Sequence, residues 1–184
     1  MALTQEKFHT IDDIQTLPEG QRAELIDGRM YMMAPPNTVH QRISYALARK
    51  ISDYIDQKKG SCEVLPAPFA VFLTQDDRNY VEPDISVICS KEKIDEKGCN
   101  GAPDWIIEVV SPSTQQMDYG IKLFKYRTAG VREYWIVNPL KRTVLVYDFE
   151  QEKRTNQYSF DDSIPACIFE EFNITLADLL PQHT

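Results

Sequence analysis

The most constraining feature of this sequence is an apolar run, residues 105–110 (WIIEVV), interrupted by the single charged side chain of Glu108. Continuous apolar stretches rich in β-branched residues are typical of strands that are covered on both faces. A carboxylate buried in such a strand is costly unless a cation, a metal ion or several hydrogen bonds compensate its charge. The run therefore predicts a central strand whose glutamate either forms a structural salt bridge or belongs to a functional site.

Strand and helix patterns alternate along the rest of the chain. Residues 84–89 (DISVIC) are typical of a second buried strand, and residues 38–57 carry apolar side chains at the spacing of one helix face. Asp27-Gly28 predicts a tight hairpin turn, because both positions must tolerate a positive φ angle. Together these patterns indicate an α/β fold with a central mixed β-sheet flanked by α-helices.

The remaining elements are expected from shorter patterns. A helix is expected from about residue 114 to residue 129, with Gly130 as its cap, and residues 90–101 are expected to loop over the surface. Short helices are expected at residues 11–20 and 175–180. The other expected strands are residues 22–26, 29–33, 62–65, 69–73, 132–137, 143–149 and 156–160.

The length of 184 residues favours a single domain, residues 1–184, with about 20 N-terminal residues and the C-terminal tail at its periphery. No apolar run approaches the roughly 18 residues of a membrane span, and residues 1–12 lack the apolar core of a signal peptide. The cysteines Cys62, Cys89, Cys99 and Cys167 form no CxxC pair, so four unpaired thiols are expected rather than a disulfide framework or a zinc knuckle. We therefore expect a cytoplasmic protein without membrane contact.

The net charge of −8 bears on the choice of partner. It argues against a protein coated with positive charge for non-specific nucleic-acid binding. A nuclease is still compatible with this charge, because a local basic strip can coexist with an acidic body. A divalent cation in the site would also offset the carboxylates there.

A second carboxylate, Asp84, follows Pro83 at the start of the strand 84–89. It has the same need for compensation as Glu108, although the ends of strands are often exposed. Two carboxylates on neighbouring strands form a hard-oxygen site suited to Mg²⁺ or Mn²⁺. Such ions activate water and stabilise charge on a phosphoryl group.

The helix that follows Glu108 adds a candidate cation. Asp118, Lys122 and Tyr126 share one face, and the neighbouring stripe with Ile121 and Phe124 is expected to pack on the sheet. Lys122 lies at the border of that stripe. Its ammonium group therefore either reaches inward to the carboxylates or pairs with Asp118 on a solvated face.

Three further polar residues are candidates for the site. Lys125 is a second candidate lysine on the same turn of the helix. Glu24, just before the Asp27-Gly28 turn, either joins the site or is an exposed strand residue. His40, near the start of the helix 38–57, either contacts a substrate or is only an N-terminal polar residue, and we slightly favour the second interpretation.

These residues together resemble the Uma family of putative restriction endonucleases, a branch of the PD-(D/E)XK nuclease superfamily. The match runs from about residue 24 to residue 147. The matching segments are AELIDGRMYMMAP, EPDISVI and PDWIIEVVSPSTQQMDYGIKLFKYRTAGVREYWIVNP. The resemblance implies a restriction-endonuclease-like core, in which helices cover both faces of a central mixed sheet.

The resemblance also implies roles for individual residues. Asp84 matches the aspartate of the PD element and Glu108 the second acidic residue, so both would bind a divalent metal ion, with the backbone carbonyl of Val109 as a further ligand. Val110 stands where the superfamily has its lysine, and Lys122 from the next helix would take over that role. Glu24 matches an acidic residue of the first element and would orient a second metal ion or a water.

The reaction implied by the resemblance is Mg²⁺- or Mn²⁺-dependent hydrolysis of phosphodiester bonds, with DNA as the expected nucleic acid. The enzyme would act alone or as a homodimer, whose interface is expected along edge strands at residues 132–137 or 143–149. The main alternative is a non-catalytic nucleic-acid-binding or assembly protein that keeps the nuclease fold, which the acidic charge and Val110 favour. A nuclease for RNA or a branched nucleic acid is a third hypothesis.

Overall fold

The computed structural model describes residues 8–151 and 154–180 of the chain. Its helices are α1 (Ile11–Gln15), α2 (Thr38–Gln57), α3 (Leu123–Ala129) and α4 (Leu176–Leu179). A 3-10 turn lies at Lys91–Lys93, and a π-helical segment, Met117–Lys122, directly precedes α3. The strands are β1 (Ala23–Ile26), β2 (Arg29–Met32), β3 (Glu63–Pro66), β4 (Val71–Phe72), β5 (Tyr80–Val81), β6 (Ile85–Ile88), β7 (Ile94–Asp95), β8 (Gly98–Asn100), β9 (Trp105–Val109), β10 (Glu133–Asn138), β11 (Thr143–Asp148), β12 (Arg154–Ser159), β13 (Ile164–Pro165) and β14 (Asn173–Ile174).

The first sheet contains the two strands that the apolar runs predicted to be central. Its order is β12-β11-β10-β9-β6-β3. Strands β9 and β10 run parallel, with Glu108 beside Ile136, and β6 runs antiparallel to β9, with Ile85 beside Ile107. Because Asp84 directly precedes Ile85, this register brings it to the part of β9 that carries Glu108.

A second sheet has the order β2-β1-β5-β4-β8-β7 and contributes Glu24 on β1. The hairpin of β1 and β2 turns at Asp27 and Gly28, which both have the positive φ angles expected of that dipeptide, 50° and 76°. A short two-stranded unit, β13 with β14, completes the strand pairing near the C-terminus.

Two apolar cores cover the two faces of the first sheet. On one face, α2 packs its buried stripe of Ile43, Leu47 and Ile51 with Trp105 and Ile107. On the other face, Ile106 and Val110 pack with Tyr126 and with residues of the second sheet. Since side chains alternate along a strand, Glu108 points to the same face as Ile106 and Val110. The acidic side chain therefore lies between the first sheet, the second sheet and α3.

The α/β class with its mixed sheets is confirmed, and several elements match the sequence predictions closely. Helix α2 spans the predicted residues 38–57. Gly130 ends α3 with a left-handed φ of 97°, as expected of a glycine cap. Within residues 8–151 and 154–180, no helix is long and apolar enough to cross a membrane.

Other expectations need correction. The segment 90–101 is not a simple loop, because it contains the 3-10 turn and the hairpin of β7 and β8. The residues 132–137 and 143–149 were expected to lie at a sheet edge, but β10 and β11 each have neighbours on both sides. A dimer interface formed by edge pairing along either strand is therefore wrong, since their backbone groups already bond within the sheet. The outer strands of the first sheet are β12 and β3.

The expectation of four unpaired thiols is also wrong. Cys62 and Cys89 form a disulfide, because β3 and β6 pair with Glu63 beside Ile88 and so place the two flanking cysteines opposite each other. Cys99 is a buried cysteine and Cys167 an exposed one, and both lie outside this disulfide. The single-domain organisation stays a prediction, and its terminal periphery lies in part outside the described residues, at 1–7 and 181–184.

Candidate active site

The carboxylates of Asp84 and Glu108 lie side by side at the junction of β6 and β9. The backbone N–H of Val109 donates to Oδ2 of Asp84 at 2.7 Å, and the backbone N–H of Asp84 points to Oε2 of Glu108 at 3.4 Å. Each acidic residue is thus fixed by the backbone beside the other. The side chain of Glu108 is 6% exposed and that of Asp84 is 19% exposed, so Asp84 lies nearer to solvent.

Glu24 joins this pair from the second sheet. It lies in the fully buried strand β1, and its Oε1 accepts a hydrogen bond from the backbone N–H of Glu82 at 3.0 Å. Glu82 is two residues before Asp84 in the chain. The interpretation of Glu24 as an exposed strand residue is therefore wrong, because the residue is only 5% exposed.

Lys122 connects the carboxylates of the two sheets. Its Nζ lies 2.9 Å from Oε1 of Glu24 and 2.9 Å from Oε1 of Glu108, and it lies 3.8 Å from Oδ1 of Asp118. The lysine side chain is 7% exposed, so the solvated pair with Asp118 that the sequence allowed is not formed. Instead, both residues point into the protein. Lys125 is outside this cluster and pairs with Asp27.

Asp118 and Lys122 lie on the π-helical segment, and both are buried and face the carboxylates. Together with the buried Tyr126 they form the helix face that the sequence predicted from the spacing i, i+4, i+8. Ile121 and Phe124, which were expected to pack on the sheet, are instead 40% and 65% exposed. The helix therefore packs inward with its charged face, and the expected position of the neighbouring apolar stripe is wrong.

Two further residues contact the carboxylates. The hydroxyl of Tyr126 donates to Oε1 of Glu108 at 2.7 Å. Nε2 of His40, from the first turn of α2, lies 2.9 Å from Oδ2 of Asp84. The favoured interpretation of His40 as only an N-terminal polar residue is therefore wrong. Tyr126 could be identified from the sequence, because it shares a helix face with Lys122. The contact of His40 could not, since no local sequence pattern indicates that α2 approaches β6.

The cluster contains more negative than positive charge. Burial raises the pKa of Glu108 well above its usual range; Lys122 opposes this shift, while Asp84, Asp118 and Glu24 add to it. Burial likewise raises the pKa of Asp118. Desolvation alone would lower the pKa of Lys122, but the surrounding carboxylates raise it well above its usual range, so it stays an ammonium ion. Four carboxylates thus share one ammonium, and an additional cation would relieve their repulsion.

The donor set suits a divalent cation of the hard-oxygen class. Among the described residues, no group of three or more His, Cys, Asp or Glu side chains forms a complete cage for a metal ion. Mg²⁺ does not require one, because it is commonly held by one or two carboxylates together with waters and substrate phosphates. Oδ1 of Asp84 receives no hydrogen bond from the described residues, and Oε2 of Glu108 receives only the long one from Asp84. A cation bound here could therefore be held by these two oxygens.

Comparisons with known proteins support the same fold. The crystal structure of a putative nuclease belonging to DUF820, from Anabaena variabilis ATCC 29413, is similar with a TM-score of 0.74 and 24% sequence identity. That similarity covers 92% of this chain and 96% of the other chain. At this identity it establishes a shared fold.

The sequence comparisons point to a family. An uncharacterized protein of Synechocystis sp., slr1290, is 27% identical over 128 residues, which cover 69% of this chain and 66% of that protein. The chain thus spans slightly less than two thirds of that relative. The model of the Uma2 family, described as "Putative restriction endonuclease", matches residues 6–177. Since this match covers most of the 184 residues, the chain belongs to the Uma2 family.

Proposed function

We propose that this protein is an endonuclease that hydrolyses phosphodiester bonds in DNA with the help of Mg²⁺ or Mn²⁺. The observation that carries the proposal is the position of the Lys122 ammonium, 2.9 Å from both Glu24 and Glu108, beside the more exposed Asp84. Phosphodiester hydrolysis requires groups that bind a metal ion and groups that stabilise negative charge. The buried ammonium and carboxylates, beside the more exposed Asp84, supply both kinds of group. Negative charge develops on the phosphoryl oxygens, and both a metal ion and an ammonium stabilise it.

Asp84 and Glu108 would hold the metal ion, with the carbonyl of Val109 as a further ligand. When bound there, a divalent cation supplies Lewis-acid stabilisation of phosphoryl charge and a lower pKa for an attacking water. His40 holds Oδ2 of Asp84, which leaves Oδ1 as its available oxygen. Tyr126 similarly holds Oε1 of Glu108 and leaves Oε2 available.

Lys122 would stabilise the charge that develops on the phosphoryl oxygens and help to align the attacking water. Glu24 fixes its ammonium from the opposite sheet, at 2.9 Å from Oε1 and 2.8 Å from Oε2. This arrangement supports the substitution expected from the sequence, in which a helix lysine replaces the strand lysine absent at Val110. Glu24 is also near enough to the ammonium to orient a water beside it.

The test is a hydrolysis assay with single-stranded and duplex DNA and with RNA, each in Mg²⁺, Mn²⁺ or a chelator. Wild type should cut DNA only when a metal ion is present, and Glu108→Gln should be inactive. Glu133→Gln is the matched control, because it makes the same change at a buried glutamate of the neighbouring strand β10, outside the acidic cluster. If Glu108→Gln is inactive only because the fold is destabilised, Glu133→Gln should lose activity as well.

Three results would change the proposal. Cleavage of RNA alone would correct the substrate class. Equal activity of wild type and Glu108→Gln would place the chemistry elsewhere in the protein. Tight nucleic-acid binding without hydrolysis in any metal would support the alternative of a non-catalytic binding protein that keeps the nuclease fold.

We further propose that the protein acts on duplex DNA as a homodimer, since one site cuts one strand and a second copy supplies the second site. Among the described strands, β12 and β3 are the outer strands of the first sheet and are the ones available for pairing between copies. Sedimentation equilibrium distinguishes a dimer from a monomer. A monomer at micromolar concentration that still makes double-strand breaks would exclude this assembly.

A further inference from the structure

A second ion pair, between Arg22 and Glu82, lies beside the acidic cluster. Nε of Arg22 donates to Oε2 of Glu82 at 2.8 Å, and Nη2 of the same guanidinium donates to the same oxygen. The hydroxyl of Tyr80 donates to the other oxygen, Oε1, at 2.7 Å. The side chain of Glu82 is 7% exposed and that of Arg22 is 38% exposed. Both oxygens of a buried carboxylate are thus occupied, which fixes the position of Glu82.

This ion pair joins the two chain segments that carry Glu24 and Asp84. Arg22 is two residues before Glu24, on the segment that enters β1 of the second sheet. Glu82 is two residues before Asp84, on the segment that enters β6 of the first sheet. The backbone N–H of Glu82 also donates to Oε1 of Glu24 at 3.0 Å. Glu82 is therefore bound to the segment of Glu24 both through its side chain and through its backbone.

The connection from Glu82 to Asp84 is stiff, because the residue between them is Pro83. A proline ring fixes its own φ angle at about −65° and restricts the preceding residue to extended conformations. Asp84 in turn accepts the backbone N–H of Val109 at 2.7 Å, directly beside Glu108. A displacement of Glu82 should therefore move the carboxylate of Asp84 relative to that of Glu108.

A matching ion pair lies at the other end of β6. Arg132 donates to Oδ1 of Asp104 at 3.1 Å, and the backbone N–H of Cys89 donates to Oδ2 of Asp104 at 2.8 Å. The exposed fractions are close to those of the first pair, 38% for the arginine and 10% for the carboxylate. Cys89 follows the last residue of β6, whereas Asp84 precedes its first residue. If both pairs only stabilise the fold, breaking either one should have the same effect.

We propose that Arg22 and Glu82 are positioning residues, which hold Glu24 and Asp84 at the separation that a bound divalent cation and the Lys122 ammonium require. The inference rests on the proposed function and adds to it two residues whose charged groups bind each other. The carboxylates around the ammonium repel one another, so their distances need support from outside the cluster. Removal of a group that orients metal ligands typically lowers metal affinity by about 10- to 100-fold.

The test is calorimetry of Mn²⁺ binding to wild type, Glu82→Gln and Asp104→Asn, without nucleic acid. Each substitution replaces a buried carboxylate by an amide of the same shape and removes one arginine–carboxylate pair. The Mn²⁺ dissociation constant of Glu82→Gln should rise by about 10- to 100-fold, whereas Asp104→Asn should bind Mn²⁺ as wild type does. Urea unfolding of the same proteins should show a similar loss of stability in both variants.

Substitutions of the more exposed partner decide the question if Glu82→Gln does not fold. Arg22→Gln should weaken Mn²⁺ binding by about 10-fold or more, and Arg22→Lys, which keeps the charge, should recover most of the affinity. Wild-type affinity in Glu82→Gln and Arg22→Gln, or an equal loss of affinity in Asp104→Asn, would overturn the positioning role while the proposed function stands. A wild type that binds no Mn²⁺ would overturn both this role and the metal site of the proposed function.

Discussion

Lys122 and Glu108 form an ion pair of 2.9 Å in the interior of the protein, although each belongs to a different layer of the fold. The lysine lies on the π-helical segment and the glutamate on the central strand β9. Glu24 and Asp118 surround the same ammonium group. This lysine compensates buried carboxylates in the resting protein, and in the proposed reaction it would also compensate charge on the substrate.

Replacing Lys122 by methionine should destabilise the protein strongly. The variant keeps a side chain of similar length but leaves buried carboxylates without their cation, which costs about 3–5 kcal/mol of unfolding free energy at neutral pH. The loss should shrink as the pH is lowered, because the carboxylates then take up protons. Urea unfolding measures both effects. The control Lys125→Met removes the pair with Asp27, whose side chain is 64% exposed, and should cost less than about 1 kcal/mol.

Glu108→Gln should separate activity from stability. The substitution removes a charge whose carboxyl already has a raised pKa through burial, and the amide oxygen still accepts hydrogen bonds from Lys122 and Tyr126. Hydrolysis should fall on the order of 100- to 1000-fold, while the midpoint of urea unfolding stays nearly unchanged. A variant that fails to fold would identify Glu108 as a structural anchor instead.

Divalent cations should raise the melting temperature. A ligand at 100 times its Kd stabilises the folded state by about 2.7 kcal/mol, which corresponds to about 5–10 °C for a chain of this size. Titration with Mg²⁺ and Mn²⁺, against NaCl at equal ionic strength, measures the shift by calorimetry. Asp84→Asn should abolish it, because the variant loses one of the two available carboxylates. An equal shift in Asp84→Asn would mean that the cation binds at another place.

The parts of the fold that were predictable are those that depend on local pattern. Helix α2 follows from its apolar stripe, and the β1–β2 turn follows from Asp27-Gly28, because a short range of residues determines each. The central position of β9 was predictable from its apolar, β-branched residues. Its glutamate was recognisable because a charge in such a strand requires compensation.

The missed features depend on how distant segments meet. His40 contacts Asp84 because α2 crosses the end of β6, and nothing near His40 in the sequence encodes that crossing. Ile121 and Phe124 are exposed because this helix turns its charged face, with Asp118 and Lys122, toward the buried carboxylates, and a search for apolar stripes favours the opposite orientation. The disulfide of Cys62 and Cys89 requires the register of β3 against β6, and strand register is not visible in composition.

Reduction of that disulfide should weaken the fold. Its cysteines are 27 residues apart, and a cross-link that closes a loop of this size stabilises a protein by about 2–4 kcal/mol, mainly by restricting the unfolded chain. Urea unfolding with and without a reducing agent measures the difference. The variant Cys62→Ser/Cys89→Ser should have the stability of the reduced protein and no response to the reductant. A wild type that is equally stable in both conditions would mean that the bond contributes nothing.

The buried carboxyl of Glu133, outside the acidic cluster, should make the stability of the protein depend on pH. Burial raises the pKa of this carboxyl, although the backbone N–H groups of Cys167 and Ile168 and the indole of Trp135 all donate to it and oppose the shift. Because the folded state then binds the proton more tightly than the unfolded state, the contribution of Glu133 to stability must fall as the pH rises from the usual glutamate range through the raised pKa.

Glu133→Gln removes this titration. At neutral pH the variant should still be less stable by about 1–3 kcal/mol, since its amide group turns a donor toward a donor of Trp135, Cys167 or Ile168. The difference in unfolding free energy between wild type and variant should therefore be largest at acidic pH and decrease toward neutral pH. Urea unfolding of both proteins over this range measures it. A difference that grows with pH would show that the hydrogen bonds outweigh burial at this carboxyl.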